Sequence, residues 1–196
     1  MNWLTVKNFE QKIADFYGSK YAVATDSCTH AIELCVRLKK AKEINTPKRT
    51  YLSIPFLAHK LNLPLEWRDE EWNGYYFLGG TNIIDAAVFW QEGGYIENTF
   101  MCLSFQFQKH LSLGRGGMIL TDNKEESQEL KRMSYDGRDP DSPWREQNIS
   151  SFGFHYYMTP ETAFLGLEKL DQAIYNKPKI WSIDDYIDLT KLNIFK

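Results

Sequence analysis

The stretch Tyr21-Ala22-Val23-Ala24-Thr25-Asp26-Ser27-Cys28-Thr29-His30-Ala31-Ile32 reads as a strand that turns directly into a helix. Its first five residues are apolar or β-branched, which suits a short buried strand. Asp26 and Ser27 are capping types, and Ile32, Cys35 and Val36 then recur on one face as far as Lys39. Upstream, Val6, Phe9, Ile13, Phe16 and Tyr17 keep helical spacing, with Gly18 placed to end that helix. The chain therefore opens as helix, strand, turn, helix. Downstream, strands are expected over residues 51–54, 74–78, 83–87, 99–105 and 118–121. A charged amphipathic helix is expected over 123–134 and a polar loop over 137–150. Thr159-Pro160-Glu161 then starts a further helix whose stripe is Leu167, Leu170 and Ile174. No regular element is expected after Pro178. Alternating strands and helices predict an α/β fold, an α/β/α sandwich around a mainly parallel sheet.

Composition narrows the function classes. The 196 residues are 43% hydrophobic and 25% charged, which is ordinary globular usage and excludes disorder. A net charge of -3 excludes a nucleic-acid binder that works by a broad basic surface. No stretch is long and apolar enough to span a bilayer, and no basic start with a long apolar run marks a leader, so a cytoplasmic protein is expected. Cys28, Cys35 and Cys102 lie far from metal-ligand spacing and are read as free thiols, with no metal site. Aromatics make up 15%, fitting a heavy core, a stacking pocket or an extensive interface.

Four segments could carry chemistry. Asp26 to Ala31 forms a strand-to-helix turn whose free N–H groups suit an anion, although a plain helix cap looks the same. In Ile83-Ile84-Asp85-Ala86-Ala87 a carboxylate ends an apolar strand, either as a surface Asp or as the partner of a buried cation. Ser104-Phe105-Gln106-Phe107-Gln108-Lys109 precedes Gly114-Arg115-Gly116-Gly117. A Lys there is either a solvated loop residue or a desolvated amine able to react with a carbonyl. Gly153 to Pro160 carries His155, either as a packing residue or as a site residue.

Together these segments resemble the DegT/DnrJ/EryC1/StrS sugar aminotransferases, pyridoxal-phosphate enzymes of fold type I. Ser27-Cys28-Thr29-His30-Ala31-Ile32 is similar to the family's S-G-T-A-A-L, and Ile54-Pro55-Phe56-Leu57-Ala58 to its P-x-x-T-F-x-A. Asp85-Ala86-Ala87 matches D-A-A, and Ser104-Phe105 through Lys109 to Gly116-Gly117 matches S-F-x-x-x-K with G-x-G-G. Tyr135-Asp136-Gly137-Arg138 and Gly153 to Met158 resemble two later segments, so the likeness runs from about residue 9 to 173.

The resemblance implies the reduced, aspartate aminotransferase-like large domain of a PLP-dependent transferase. It implies that Lys109 binds the cofactor through its amine and carries a proton, and that Asp85 pairs with the ring nitrogen. Cys28, Thr29 and Ser104 would hold the phosphate, Phe56 would stack on the ring, and His155 would reach the phosphate across a homodimer interface. The reaction implied moves an amino group from an amino acid, glutamate in most of the family, to a keto-sugar linked to a nucleotide, for amino-sugar or surface-polysaccharide synthesis.

The sequence also departs from the family. Residues 40–83 are compressed, and 1–196 reads as one shortened domain with the C-terminal small domain nearly absent. Val88 stands where the family has His or Gln, Cys28 replaces Gly, His155 replaces Asn, Tyr157 replaces Arg, and Gln106 holds a position that is commonly His. These changes favour a second reading, a degenerate PLP-binding relative with a binding or regulatory role. A third is a purely structural domain. A sugar dehydratase of the same family would carry His in place of Lys109.

Overall fold

A computed structural model describes residues 2–196 as five α-helices, seven strands and four single-turn 3-10 helices. Helix α1 (Trp3–Tyr17) begins at Asn2, whose side chain accepts from Leu4 N–H, and ends at Gly18 in the left-handed region. Strand β1 (Tyr21–Thr25) leads into α2 (Cys28–Lys39), capped by Ser27. The chain continues through β2 (Ile44–Pro47), α3 (Ser53–Leu61), β3 (Leu65–Arg68), β4 (Tyr76–Phe77) and β5 (Ile83–Asp85). Strands β6 (Phe100–Ser104) and β7 (Gly117–Thr121) follow, then α4 (Lys124–Ser134) and α5 (Pro160–Tyr175).

The main sheet has the order β1-β7-β6-β5-β4. Its faces explain the strand sequences. Ala22, Ala24, Met101, Leu103, Met118 and Leu120 join α1 and α5 in one buried cluster. Val23, Phe100, Cys102 and Ile119 join α2, α3 and α4 in another. Both faces are covered, so β7 is buried at every position instead of alternating. The α/β/α arrangement matches the expectation. The sheet is mixed, however, where a mainly parallel one was expected. Strands β1, β5 and β6 point one way, yet only β5–β6 is a parallel pair, because β7 runs antiparallel between β1 and β6 and β4 antiparallel to β5. Strand β7 returns from β6 by a loop of twelve intervening residues with no crossover helix, which obliges it to run back.

Residues 51–54, expected as a strand, are a loop and the start of α3. That helix links β2 and β3, which pair in parallel as a separate two-stranded sheet, so the compressed region holds a small βαβ unit. Residues after Pro178, expected to be irregular, contain 3-10 turns at Ile183–Asp185, Leu189–Lys191 and Asn193–Phe195. No helix among the described residues is long and apolar enough to cross a membrane.

The α1–α5 contact is a tight one. Phe9 is fully buried, its ring lies 5.4 Å from that of Phe105, and a Cβ at Gly166 would fall 2.5 Å from it. We expect Phe9→Ala to lower stability by about 3–5 kcal/mol, read as a drop in urea midpoint. A loss below about 1 kcal/mol would mean that α5 does not close this core.

Candidate active site

Strand direction decides where the site forms. Strands β1, β5 and β6 end at Thr25, Asp85 and Ser104, and β7 starts there, Gly117 pairing with both Thr25 and Ser104. In α/β sheets the loops beyond the carboxyl ends of such strands form the binding crevice. A cavity of about 590 Å3 lies there, lined by Cys28, Thr29, Asp85, Ser104 and Lys109. Five sequence-predicted residues from three separated segments thus meet in one place.

Each is held by its local structure. Ser27 Oγ accepts from His30 N–H at 3.2 Å, which fixes the first turn of α2. The N–H groups of Cys28 and Thr29 are then first-turn donors with no acceptor among the described residues. Gly117 packs beneath this turn, and a Cβ on it would lie 2.4 Å from the Ser27 carbonyl carbon. The side chains of Cys28 and Thr29 are engaged elsewhere, on the Cys102 carbonyl at 3.4 Å and on Ser53 Oγ at 2.7 Å. An anion would therefore meet backbone donors at this turn.

Asp85 is 5% exposed. Its Oδ2 accepts from the Tyr76 hydroxyl at 2.6 Å and its Oδ1 from Ala87 N–H at 3.0 Å. Tyr76 in turn shares a short hydrogen bond with Thr50. Burial pushes the Asp85 carboxyl above its ordinary range, and Tyr76, Ala87 and the Lys109 charge pull it only part of the way back. Lys109 is half-buried in a closed loop. Its N–H donates to the Gln106 carbonyl at 2.8 Å, Phe105 and Gly116 pair across the loop base, and Leu111 and Leu113 anchor the loop in the core. Burial lowers the Lys109 pKa, opposed by Asp85. A desolvated amine and a buried carboxylate thus share one cavity, both displaced toward their neutral forms.

Two predicted residues lie elsewhere. Phe56 does not line the cavity; its ring sits against Phe195 at 5.8 Å on the outer side of α3. His155 is exposed and its Nδ1 lies 3.1 Å from Asp136 Oδ2, away from the cavity of its own chain. Much of the remaining lining comes from residues that sequence reading missed. Thr50, Tyr51, Ser53 and Ile54 form part of it. The signal was present: a P-x-x-T-F-x-A pattern read from Pro47 puts Thr50 and Tyr51 at its T-F positions, with Ser53 for Ala. Trp181, Tyr186 and Leu189, from the segment after Pro178, add to the lining. No apolar periodicity marks that segment as a regular element. Tyr76 was likewise missed, because a Tyr in a short strand carries no sign of its partner.

The sequence profile of the DegT/DnrJ/EryC1/StrS aminotransferase family matches residues 2–63 and 90–184. The chain belongs to that family. It is 22% identical over 230 residues to the uncharacterised protein MJ1066 of Methanocaldococcus jannaschii, covering 88% of this chain and 59% of that one. Among solved structures, it superposes on Spr1654 of Streptococcus pneumoniae in its PMP form with a TM-score of 0.72 at 18% identity, covering 87% and 59% of the two chains. DesI, solved with its TDP-sugar product, gives a TM-score of 0.71 at 18% identity, covering 89% of this chain and 54% of that one. The chain thus spans a little over half the length of the relatives it matches. The shared fold is that of PLP-dependent aminotransferases.

The two pKa displacements have opposite signs in stability. Asp85 titrates higher folded than unfolded, so the ligand-free protein loses stability as pH rises from the ordinary 3.8 through the raised value. Lys109 titrates lower folded, so stability is regained as pH rises from its lowered value toward 10.5. Urea denaturation of wild type and Asp85→Asn across the acid window should show a shallower decline in the variant. Parallel curves would mean that Asp85 is not the buried acid responsible.

Proposed function

We propose that this chain is a PLP-dependent sugar aminotransferase that moves an amino group from an amino acid, glutamate first among the candidates, to a keto-sugar linked to a nucleotide. The observation that carries the reading is the convergence of Lys109, Asp85 and the α2 N-terminus on one cavity. The residues fit pyridoxal phosphate in chemistry: an amine for its aldehyde, a carboxylate for its ring nitrogen, and first-turn N–H donors for its phosphate. When bound, that group supplies an electron sink for charge developing on the amino-bearing carbon.

Each side chain then has a task. The lowered Lys109 pKa makes a free amine available nearer neutrality than an ordinary lysine allows, first to bind and then to carry a proton. Asp85, costly to bury charged and alone, gains a cationic partner in a protonated ring nitrogen and keeps it protonated. Cys28 and Thr29 N–H groups, with the Ser104 hydroxyl at the cavity edge, hold the phosphate. Tyr51, which lines the same cavity, takes the ring-facing position first assigned to Phe56. His155 serves a second chain in a homodimer, consistent with its exposed position away from its own cavity.

A second reading has its own support: Val88, where the family has His or Gln, offers no hydrogen bond to the cofactor, which suits a PLP-binding relative without turnover. One experiment separates them. With added pyridoxal phosphate the wild type should show a visible absorbance band absent in Lys109→Ala, and glutamate should convert it to the pyridoxamine spectrum. Lys109→Ala should also lose at least about a hundredfold in amino transfer. A Lys109-dependent band that no amino donor bleaches would establish the binding relative, and no such band would overturn both readings.

A further inference from the structure

The segment 178–196 is strapped across the cavity rather than trailing from α5. Trp181 and Ser182 add to the outer edge: Gly74 N–H donates to the Trp181 carbonyl at 2.8 Å, and Ser182 bridges to Asn73. Arg49 Nη1 donates to the Tyr186 carbonyl at 3.0 Å, and Leu189 N–H to the Lys48 carbonyl at 2.9 Å. Leu189 is 3% exposed, and Phe195 closes the strap against Phe56 and Trp67. Five attachments over so short a segment fix its side chains relative to the site.

Two of those side chains face the chemistry. The Trp181 ring lies 5.4 Å from the Lys109 amine, with Lys179 on it at 3.7 Å. Whatever reacts at Lys109 must therefore pass close to an indole. Tyr186 lines the cavity beside it, ring centroids 6.2 Å apart, and packs on Trp72 at 5.3 Å. Its hydroxyl has no hydrogen-bond partner among the described residues. Burial, with the Asp85 and Asp185 carboxyls nearby, pushes its pKa well up, so it remains a donor at any working pH. An apolar face beside a free hydroxyl suits a ring that is apolar on its C–H face and hydroxylated at its rim.

Building on the aminotransferase reading, we infer that the strap is the acceptor wall of this site: a hexose ring packs on Trp181 and takes a hydrogen bond from the Tyr186 hydroxyl. Acceptor choice then belongs to the strap, while Lys109, Asp85 and the α2 N-terminus act on any acceptor alike. A site that hydrogen-bonds a ligand hydroxyl discriminates strongly against ligands lacking it, because its own donor is left unpaired.

The test compares calorimetric affinities for TDP-glucose, UDP-glucose and GDP-mannose with those for TDP, UDP and GDP alone, with and without added pyridoxal phosphate. Wild type should prefer at least one nucleotide-hexose over its free nucleotide. Tyr186→Phe, which keeps the ring and its packing, should cut that preference about tenfold. Trp181→Ala should cut it at least as much, and Trp181→Phe should restore part of it. No preference in wild type, equal losses for hexose and free nucleotide, unchanged affinities, or tighter binding in the variants would each overturn the inference, the last by marking the strap as a plug. Absence of the Lys109-dependent band would strike both pyridoxal-phosphate readings and leave the sugar preference, which is measured independently of it.

Discussion

A carboxylate at 5% exposure is the constraint around which this molecule is arranged. Burying a charge costs several kcal/mol unless hydrogen bonds and an opposite charge offset it. Asp85 receives two hydrogen bonds, from Tyr76 and from Ala87 N–H, and feels the Lys109 charge. Those partners tie distant parts together. Tyr76 belongs to the edge strand β4 and is fixed in turn by Thr50 and by the Trp72 ring at 5.3 Å. Trp72 donates to the Arg49 carbonyl at 2.9 Å, so the loop carrying Thr50 and Tyr51 is positioned by the same network that satisfies Asp85. The offset remains incomplete, since the carboxyl still titrates high. A site with that residual penalty favours a cationic guest over water.

The other half of the site is set by close packing. Strand β7 starts beneath the first turn of α2, where Gly117 leaves no room for a side chain. That contact holds the Cys28 and Thr29 N–H groups at the sheet edge where β1, β5 and β6 end. Outward from it, Asp26 accepts from Arg115 at 2.7 Å and lies 2.6 Å from His30 Nδ1, and His30 stacks on Tyr156 at 3.6 Å. The glycine-containing loop after Lys109 and the segment before α5 are thereby pinned to the same turn. Geometry at the α2 turn follows from sterics, and at Asp85 from electrostatics.

What the sequence disclosed follows that division. The strand-turn-helix at 21–39, the strand ending at Asp85 and the strand leading to Lys109 were legible because burial on both faces makes them apolar runs with polar ends. Sheet direction was not, since nothing local distinguishes a crossover from a long return loop between β6 and β7. The segment at 51–54 misled because Tyr and Ile favour strands, whereas Ser53 begins a helix that packs on the small parallel sheet. Phe56, expected beside the ring from the likeness of Ile54–Ala58 to P-x-x-T-F-x-A, lies against Phe195, whereas Tyr51 five residues earlier lines the cavity. Tertiary partners such as Tyr76 for Asp85 leave no periodic trace.

The strap shows most clearly why local reading stops short. Its 3-10 turns are single, and it is held by hydrogen bonds to residues more than a hundred positions away, such as Leu189 N–H to the Lys48 carbonyl and the Arg49 guanidinium to the Tyr186 carbonyl. Ile183–Asp185 has a capping box at Ser182, a helix-start signal with no apolar run behind it to mark an element. Such a segment specifies its position through contacts rather than propensity, so its residues can vary without disturbing the sheet. Asp85 and Lys109 have no such freedom, because each owes its displaced ionisation to the core that surrounds it. Trp181 and Tyr186 stand between these two regimes: both are positioned by the strap, yet Trp181 lies 5.4 Å from the Lys109 amine and Tyr186 packs on the Trp72 ring that also fixes Tyr76.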